Sequence, residues 1–152
     1  GFRKIALISS HRHHFGLTRL VIRRLWDETR LDVAGVFPYA MVGDIFKKVS
    51  KAGPEGSCHG GEFETSVMLH LAPEEVDMNQ VSDKDRLTAD HGYSSSEVFW
   101  STWNRQQSRS GVYGDPTPAT AETGKALFEG MADKTAEFLR KYHQGSTSSK
   151  WD

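Results

Sequence analysis

Ile5-Ala6-Leu7-Ile8 is an unbroken apolar run closed by the polar stretch Ser9 to His14. A short run without polar alternation is the pattern of a strand buried on both faces of a parallel sheet. From Gly16 onward Leu17, Leu20, Val21 and Leu25 recur at i, i+3, i+4 and i+8, with Arg19, Arg23 and Arg24 on other faces, which predicts a helix. Leu31 to Tyr39 reads as a second strand. Strand, helix and strand in that order predict a right-handed crossover unit and an α/β layer fold.

Residues 40–58 are weakly periodic and contain several glycines, so the expectation is a mobile loop or lid with a short helix around Ile45 to Val49. A further helix is expected from about Gly61 to Leu71, stopping before Pro73. Residues 78–110 are polar and Ser-rich and read as irregular surface structure, with the aromatic cluster Phe99, Trp100 and Trp103. Gly111 to Pro116 reads as a turn, and Thr120 caps a long C-terminal helix. Leu127, Phe128, Met131, Phe138, Leu139 and Tyr142 are expected to lay the apolar stripe of that helix on the sheet, and a frayed tail follows from Gly145.

The 152 residues suit one domain or part of one, organised as 1–144 plus a flexible tail at 145–152. With 37% hydrophobic residues and 8 Phe, 4 Trp and 4 Tyr, there is material for a core, and full-length disorder is excluded. A formal net charge of −1 provides no long-range attraction to nucleic acid or to an anionic membrane, so neither is an expected partner. Cys58 stands alone and cannot form an internal disulfide, and no apolar run reaches the roughly 20 residues of a membrane span, so a cytoplasmic setting is expected. The apolar strand follows almost at once on Gly1, which reads as the middle of a fold.

Two clusters carry candidate chemistry. Ser9-Ser10-His11-Arg12-His13-His14 follows the first strand, and ligands collect at the carboxyl ends of strands in open α/β sheets. His11 and His13 are two apart, so in an extended chain both imidazoles point the same way, a suitable pair for zinc. The plain alternative is a solvated loop, and His14 stands closer to it. Arg12 has the planar fork that binds a carboxylate, of a substrate or of an ordinary surface ion pair.

The other cluster is Cys58-His59-Gly60-Gly61-Glu62-Phe63-Glu64-Thr65-Ser66. At 100° per residue Glu64 shares a helical face with Val67, Met68 and Leu71, which puts a carboxylate on the stripe expected to face the core, a costly place unless it is paired or ligated. Glu62 is accounted for by the favourable dipole of a first helical turn. His59 at the mouth of the helix, held by Glu64, forms an acid/base unit, and Gly60 and Gly61 allow close approach of the backbone to a ligand. Cys58 reads as a small buried residue more readily than as a nucleophile. Gly111 to Gly114 lacks the Lys and Ser/Thr of a phosphate-binding loop.

His59-Gly60-Gly61-Glu62-Phe63-Glu64-Thr65-Ser66-Val67-Met68-Leu69, then Pro73 and Val76, closely resembles the creatininase (creatinine amidohydrolase) family. Gly111 to Thr117 with Ala119 to Gly124 resembles the family's C-terminal signature, and the strand running into a His-containing loop is similar in form. The resemblance implies a three-layer α/β/α fold with a mainly parallel sheet, and a hydrolase of non-peptide C–N bonds in cyclic or simple amides. It implies one or two divalent ions, zinc or manganese, that activate water. By the same resemblance His11 is a metal ligand, His13 takes the place of a ligating Glu, His59 transfers protons and Glu64 supports it.

The family loop usually reads Asn-Gly-His and then small residues or Tyr-Glu and Asn, where this chain has Ser9 to His14. Family members also carry a Glu-x-His pair and a bridging Asp in a segment that precedes the part seen here. The expectation is therefore a companion chain that completes the sheet and supplies those ligands, in a hexamer of complete units. A non-catalytic subunit or pseudoenzyme is the alternative, and within the enzymes a deformylase or a peptidase that trims a small peptide. No Trp occurs in residues 40–58, where creatininase uses one to cover its substrate, which counts against creatinine itself.

Overall fold

The computed structural model describes residues 1–81 and 110–145. The chain divides into two compact units, residues 1–43 with 129–152, and residues 44–128. Expectations for Phe99, Trp100 and Trp103, and for the tail beyond Gly145, lie outside the described residues.

The first unit is built on β1 (Lys4–Ile8), α1 (His14–Thr29) and β2 (Asp32–Val36), with the strands paired parallel from Lys4 opposite Asp32 to Ile8 opposite Val36. The expected alternation of strand, helix and strand is present. The second strand is shorter than its apolar pattern, because Pro38 opens α2 (Pro38–Met41), where its fixed φ suits a first helical position. α1 lies on the sheet where Gly35 has no side chain: a Cβ there would meet Thr18 at 2.9 Å and Ile22 at 3.1 Å. Phe15 packs its ring edge-on to that of Phe37, centroids 5.0 Å apart. The helix meets the sheet through Thr18 and Ile22, whereas Leu17 and Leu20 of the apolar repeat remain 63% and 68% exposed.

α5 (Ala121–Gln144) begins in the second unit and ends in the first. Its last turns lie against the strands, where the Tyr142 hydroxyl donates to the carbonyls of Ile5 (3.3 Å) and Asp32 (2.6 Å). Lys4 donates to the carbonyls of Tyr142 (2.6 Å), His143 (2.9 Å) and Gly145, so a cation closes the negative end of the helix. The side chains facing α1 (Ile5, Leu7, Val33, Gly35) and those at the other face (Lys4, Ala6, Asp32, Ala34) alternate along the strands, giving helix, sheet and helix in layers.

In the second unit, residues 44–58 are more regular than expected. They continue α3 (Gly43–Val49) and form a 3₁₀ helix at Gly53–Ser57. α4 (Glu62–Leu71) begins after Gly61 and ends before Pro73, as the pattern predicts, and short 3₁₀ turns follow at Pro73–Glu75 and Met78–Gln80. Thr120 caps α5: its Oγ1 accepts from the Thr123 amide at 3.1 Å, while its own amide donates to Ser66 Oγ at 3.1 Å. The apolar stripe of α5 therefore does not serve the sheet alone. Leu127 is wholly buried in this unit and Phe128 stands 5.9 Å from the His70 ring. Among the described residues no helix is long and apolar enough to cross a membrane.

Two outcomes follow. A Cβ at Gly124 would fall 1.8 Å from the Ser66 carbonyl oxygen, so backbone must move to admit it. Gly124→Ala is expected to cost about 3 kcal/mol in chemical denaturation. Burial, and then Asp32, push the Tyr142 phenol above its ordinary value. The folded state thus favours the neutral phenol, and its contribution is complete below the unfolded value and lost as pH rises through the raised one. Tyr142→Phe is expected to flatten that alkaline decline in thermal unfolding temperature.

Candidate active site

β1 delivers the chain into a turn that carries three histidines. The amide of His14 donates to the carbonyl of His11 at 3.0 Å, and that of Phe15 to the carbonyl of Arg12 at 3.1 Å. The turn, rather than the extended chain expected from the spacing, brings His11 and His13 together, ring centroids 5.3 Å apart. His14 joins them, 4.8 Å from His11, with Nδ1 at 2.9 Å from Ser9 Oγ. All three rings and Arg12 are exposed. The rings gather without converging: among the described residues, no group of three or more His, Cys, Asp or Glu is arranged to hold a metal ion.

The second cluster forms at the N-terminus of α4. Gly61 is the N-cap residue, and Gly61 N–H bonds back to the Cys58 carbonyl at 2.9 Å, turning His59 and Gly60 outward. Gly60 adopts a φ of 66°, the left-handed region that glycine enters without strain. That conformation aims its amide at Glu64 Oε2, 2.7 Å away. The same oxygen lies 3.1 Å from His59 Nδ1. Glu64, in the first turn, reaches back over the helix start much as the acidic partner of a capping box does. In a neutral imidazole this pairing puts the proton on Nδ1 and leaves Nε2 as the acceptor.

The expectation for the faces of α4 needs correction. Glu64 is 53% exposed, and its companions on the supposed core stripe, Met68 and Leu71, are 42% and 51% exposed. The buried face carries Glu62 and Ser66, both without accessible surface. Glu62 is not merely a favourable first-turn charge. Its carboxylate accepts from Ser50 Oγ (2.7 Å) and from the amides of Lys51 (2.9 Å) and Ala52 (2.9 Å), so it anchors the segment that leads to His59. The one signal for this in the sequence is Ser66, a small residue one helical turn from Glu62, which marks the side where α5 approaches.

Cys58 is half-buried beside this turn. Partial burial, with a further contribution from Cys58, raises the Tyr113 phenol above its ordinary value. The Tyr113 amide donates to the His59 carbonyl at 2.6 Å, so the segment after Ser110 braces the turn from the other side.

Residues 1–139 match the family model for creatininase, creatinine amidohydrolase. The chain is 36% identical over 93 residues to the mycofactocin precursor peptide peptidase of Mycobacterium ulcerans, a match covering 59% of this chain and 35% of that protein. The same peptidase of Mycolicibacterium smegmatis is 30% identical over 92 residues, with the same coverage. Among solved structures, a proposed creatinine amidohydrolase of Bacteroides fragilis superposes with a TM-score of 0.73 at 27% identity, covering 98% of this chain and 57% of that one. Creatininases solved in a manganese form and in a zinc–zinc form share the fold, with TM-scores of 0.66 and 0.70 at 24% identity, each covering 94% of this chain and 58% and 57% of theirs. The chain spans about a third of the curated relatives' length.

The two glutamates of α4 are expected to separate cleanly under mutation. Glu62→Ala removes the shared acceptor of three part-buried donors and is expected to cost about 2 kcal/mol. Glu64→Gln, at an exposed pair, is expected to cost less than about 1 kcal/mol. Urea midpoints of the two variants check the contrast.

Proposed function

The chain belongs to the creatininase family, and on that premise we propose that it is the part of a metal-dependent hydrolase that carries the proton-transferring pair and two of the metal ligands. The observation that carries this reading is the contact of His59 Nδ1 with Glu64 Oε2 at 3.1 Å, which takes up Nδ1 and leaves Nε2 to exchange a proton. His11 and His13 are of the right kind for zinc or manganese, since neutral imidazole suits such ions. They are too few by themselves, because a catalytic ion takes about three protein ligands. The remaining ligands are assigned to a companion chain, in a hexamer of complete units and a cytoplasmic setting.

His11 and His13 would hold an ion together with ligands from elsewhere, and the ion would supply a water molecule acidified toward neutral pH. His59 Nε2 would accept a proton from the attacking water and return it to the amide nitrogen as the C–N bond breaks. Glu64 stabilises the imidazolium in between. Arg12, exposed in the turn between the histidines, is assigned to a carboxylate of the substrate.

The substrate class is a cyclic or simple amide. A second reading, a peptidase that trims a short peptide, is favoured by the 36% identity over 93 residues to a peptide peptidase. The absence of Trp from residues 40–58 supports the same direction. A non-catalytic subunit fits less well with the retained His59–Glu64 contact.

Native mass and metal analysis test the assembly. A stoichiometric companion polypeptide and one or two zinc or manganese ions per pair are expected, and a metal-free homo-oligomer of this chain would overturn the reading. In the assembled protein His59→Ala is expected to lower kcat by at least about a hundredfold. Hydrolysis of creatinine and of short peptides, measured side by side, decides between the substrate classes.

A further inference from the structure

His59 and Glu64 are 69% and 53% exposed. An exposed pair of this kind contributes at most about 1 kcal/mol, too little to hold an imidazole in one orientation against its rotamer freedom. What the structure does fix beside the pair is the backbone, through a segment far along the chain. The Tyr113 amide donates to the His59 carbonyl at 2.6 Å, which sets the plane of the peptide joining His59 to Gly60. Val112 lies directly over Gly60: a Cβ built there would stand 3.3 Å from Val112 Cα and Cγ2 and 3.4 Å from Cγ1. With φ at 66°, Gly60 points its amide at Glu64 Oε2, the oxygen that meets His59 Nδ1.

We propose that Val112 is a positioning residue for the His59–Glu64 pair. Packed on Gly60 beside the Tyr113 amide, it excludes the other conformations open to a glycine and keeps the Gly60 amide on Glu64. Glu64 Oε2 is thereby held where it accepts the Nδ1 proton of His59, and Nε2 keeps its lone pair for the reaction. The effect on geometry stands without the proposed activity; the effect on rate rests on the assignment of His59 as the proton-transferring group.

The test uses the assembled protein labelled with ¹⁵N, in which two-bond proton–nitrogen correlations distinguish the two neutral tautomers of His59. The wild type and Val112→Ile are expected to show the Nδ1–H form, and Val112→Gly a mixture with the Nε2–H form. Val112→Ala is expected to lie between them, and it carries the test if Val112→Gly fails to fold by circular dichroism. Turnover is expected to fall about tenfold in Val112→Gly with KM unchanged. A His59 spectrum identical to wild type in a folded Val112→Gly or Val112→Ala protein would overturn the proposal. A mixed spectrum with undiminished turnover would support the positioning role and overturn instead the assignment of His59 to catalysis.

Discussion

A carboxylate removed wholly from water must find donors, because an uncompensated buried charge costs several kcal/mol. Glu62 meets this demand with Ser50 Oγ and the amides of Lys51 and Ala52, groups that leave the end of α3 and would otherwise lack partners. The exchange has a geometric consequence. It ties the chain after α3 to the start of α4, so the residues between them must fold tightly. Gly56 accordingly sits where a Cβ would be 3.1 Å from Glu62 and 3.2 Å from Phe46. His59 emerges from this tethered segment, and its backbone is determined on one side by Glu62 and on the other by Tyr113.

The first unit solves a different problem with similar means. Two parallel strands offer both faces to packing, and α1 and the end of α5 cover them. Polar groups finish the contacts: the Tyr142 hydroxyl bridges carbonyls of both strands, and Lys4 closes the carbonyl end of α5. β1 is thereby held firmly enough to present the His11 to His14 turn at its carboxyl end, the place where α/β sheets commonly bind ligands.

The family match and the geometry bear on different questions. Membership of the creatininase family and the shared fold say what kind of scaffold this is. The local arrangement separates the two glutamates of the first turn of α4 by their contacts. Glu62 organises the approach to the site, and Glu64 faces the histidine. Both occupy the first turn of one helix, where negative charge is favoured whatever else it does.

Local order was readable from residue spacing. The strand at Ile5 to Ile8, the boundaries of α4 between Gly61 and Pro73, the Thr120 cap and the His59–Glu64 proximity all arise within a few residues, where backbone sterics and helical periodicity leave few choices. The faces of the helices were not readable in this way. Leu17 and Leu20 form a helical stripe and yet stay exposed, while Glu62, which composition alone assigns to the surface, is buried. Which side of α4 turns inward is decided by the approach of Gly124 to Ser66, and the backbone at His59 and Gly60 by Tyr113 and Val112. These partners are distant in sequence, and only packing, which trades chain entropy for contacts made all at once, brings them together.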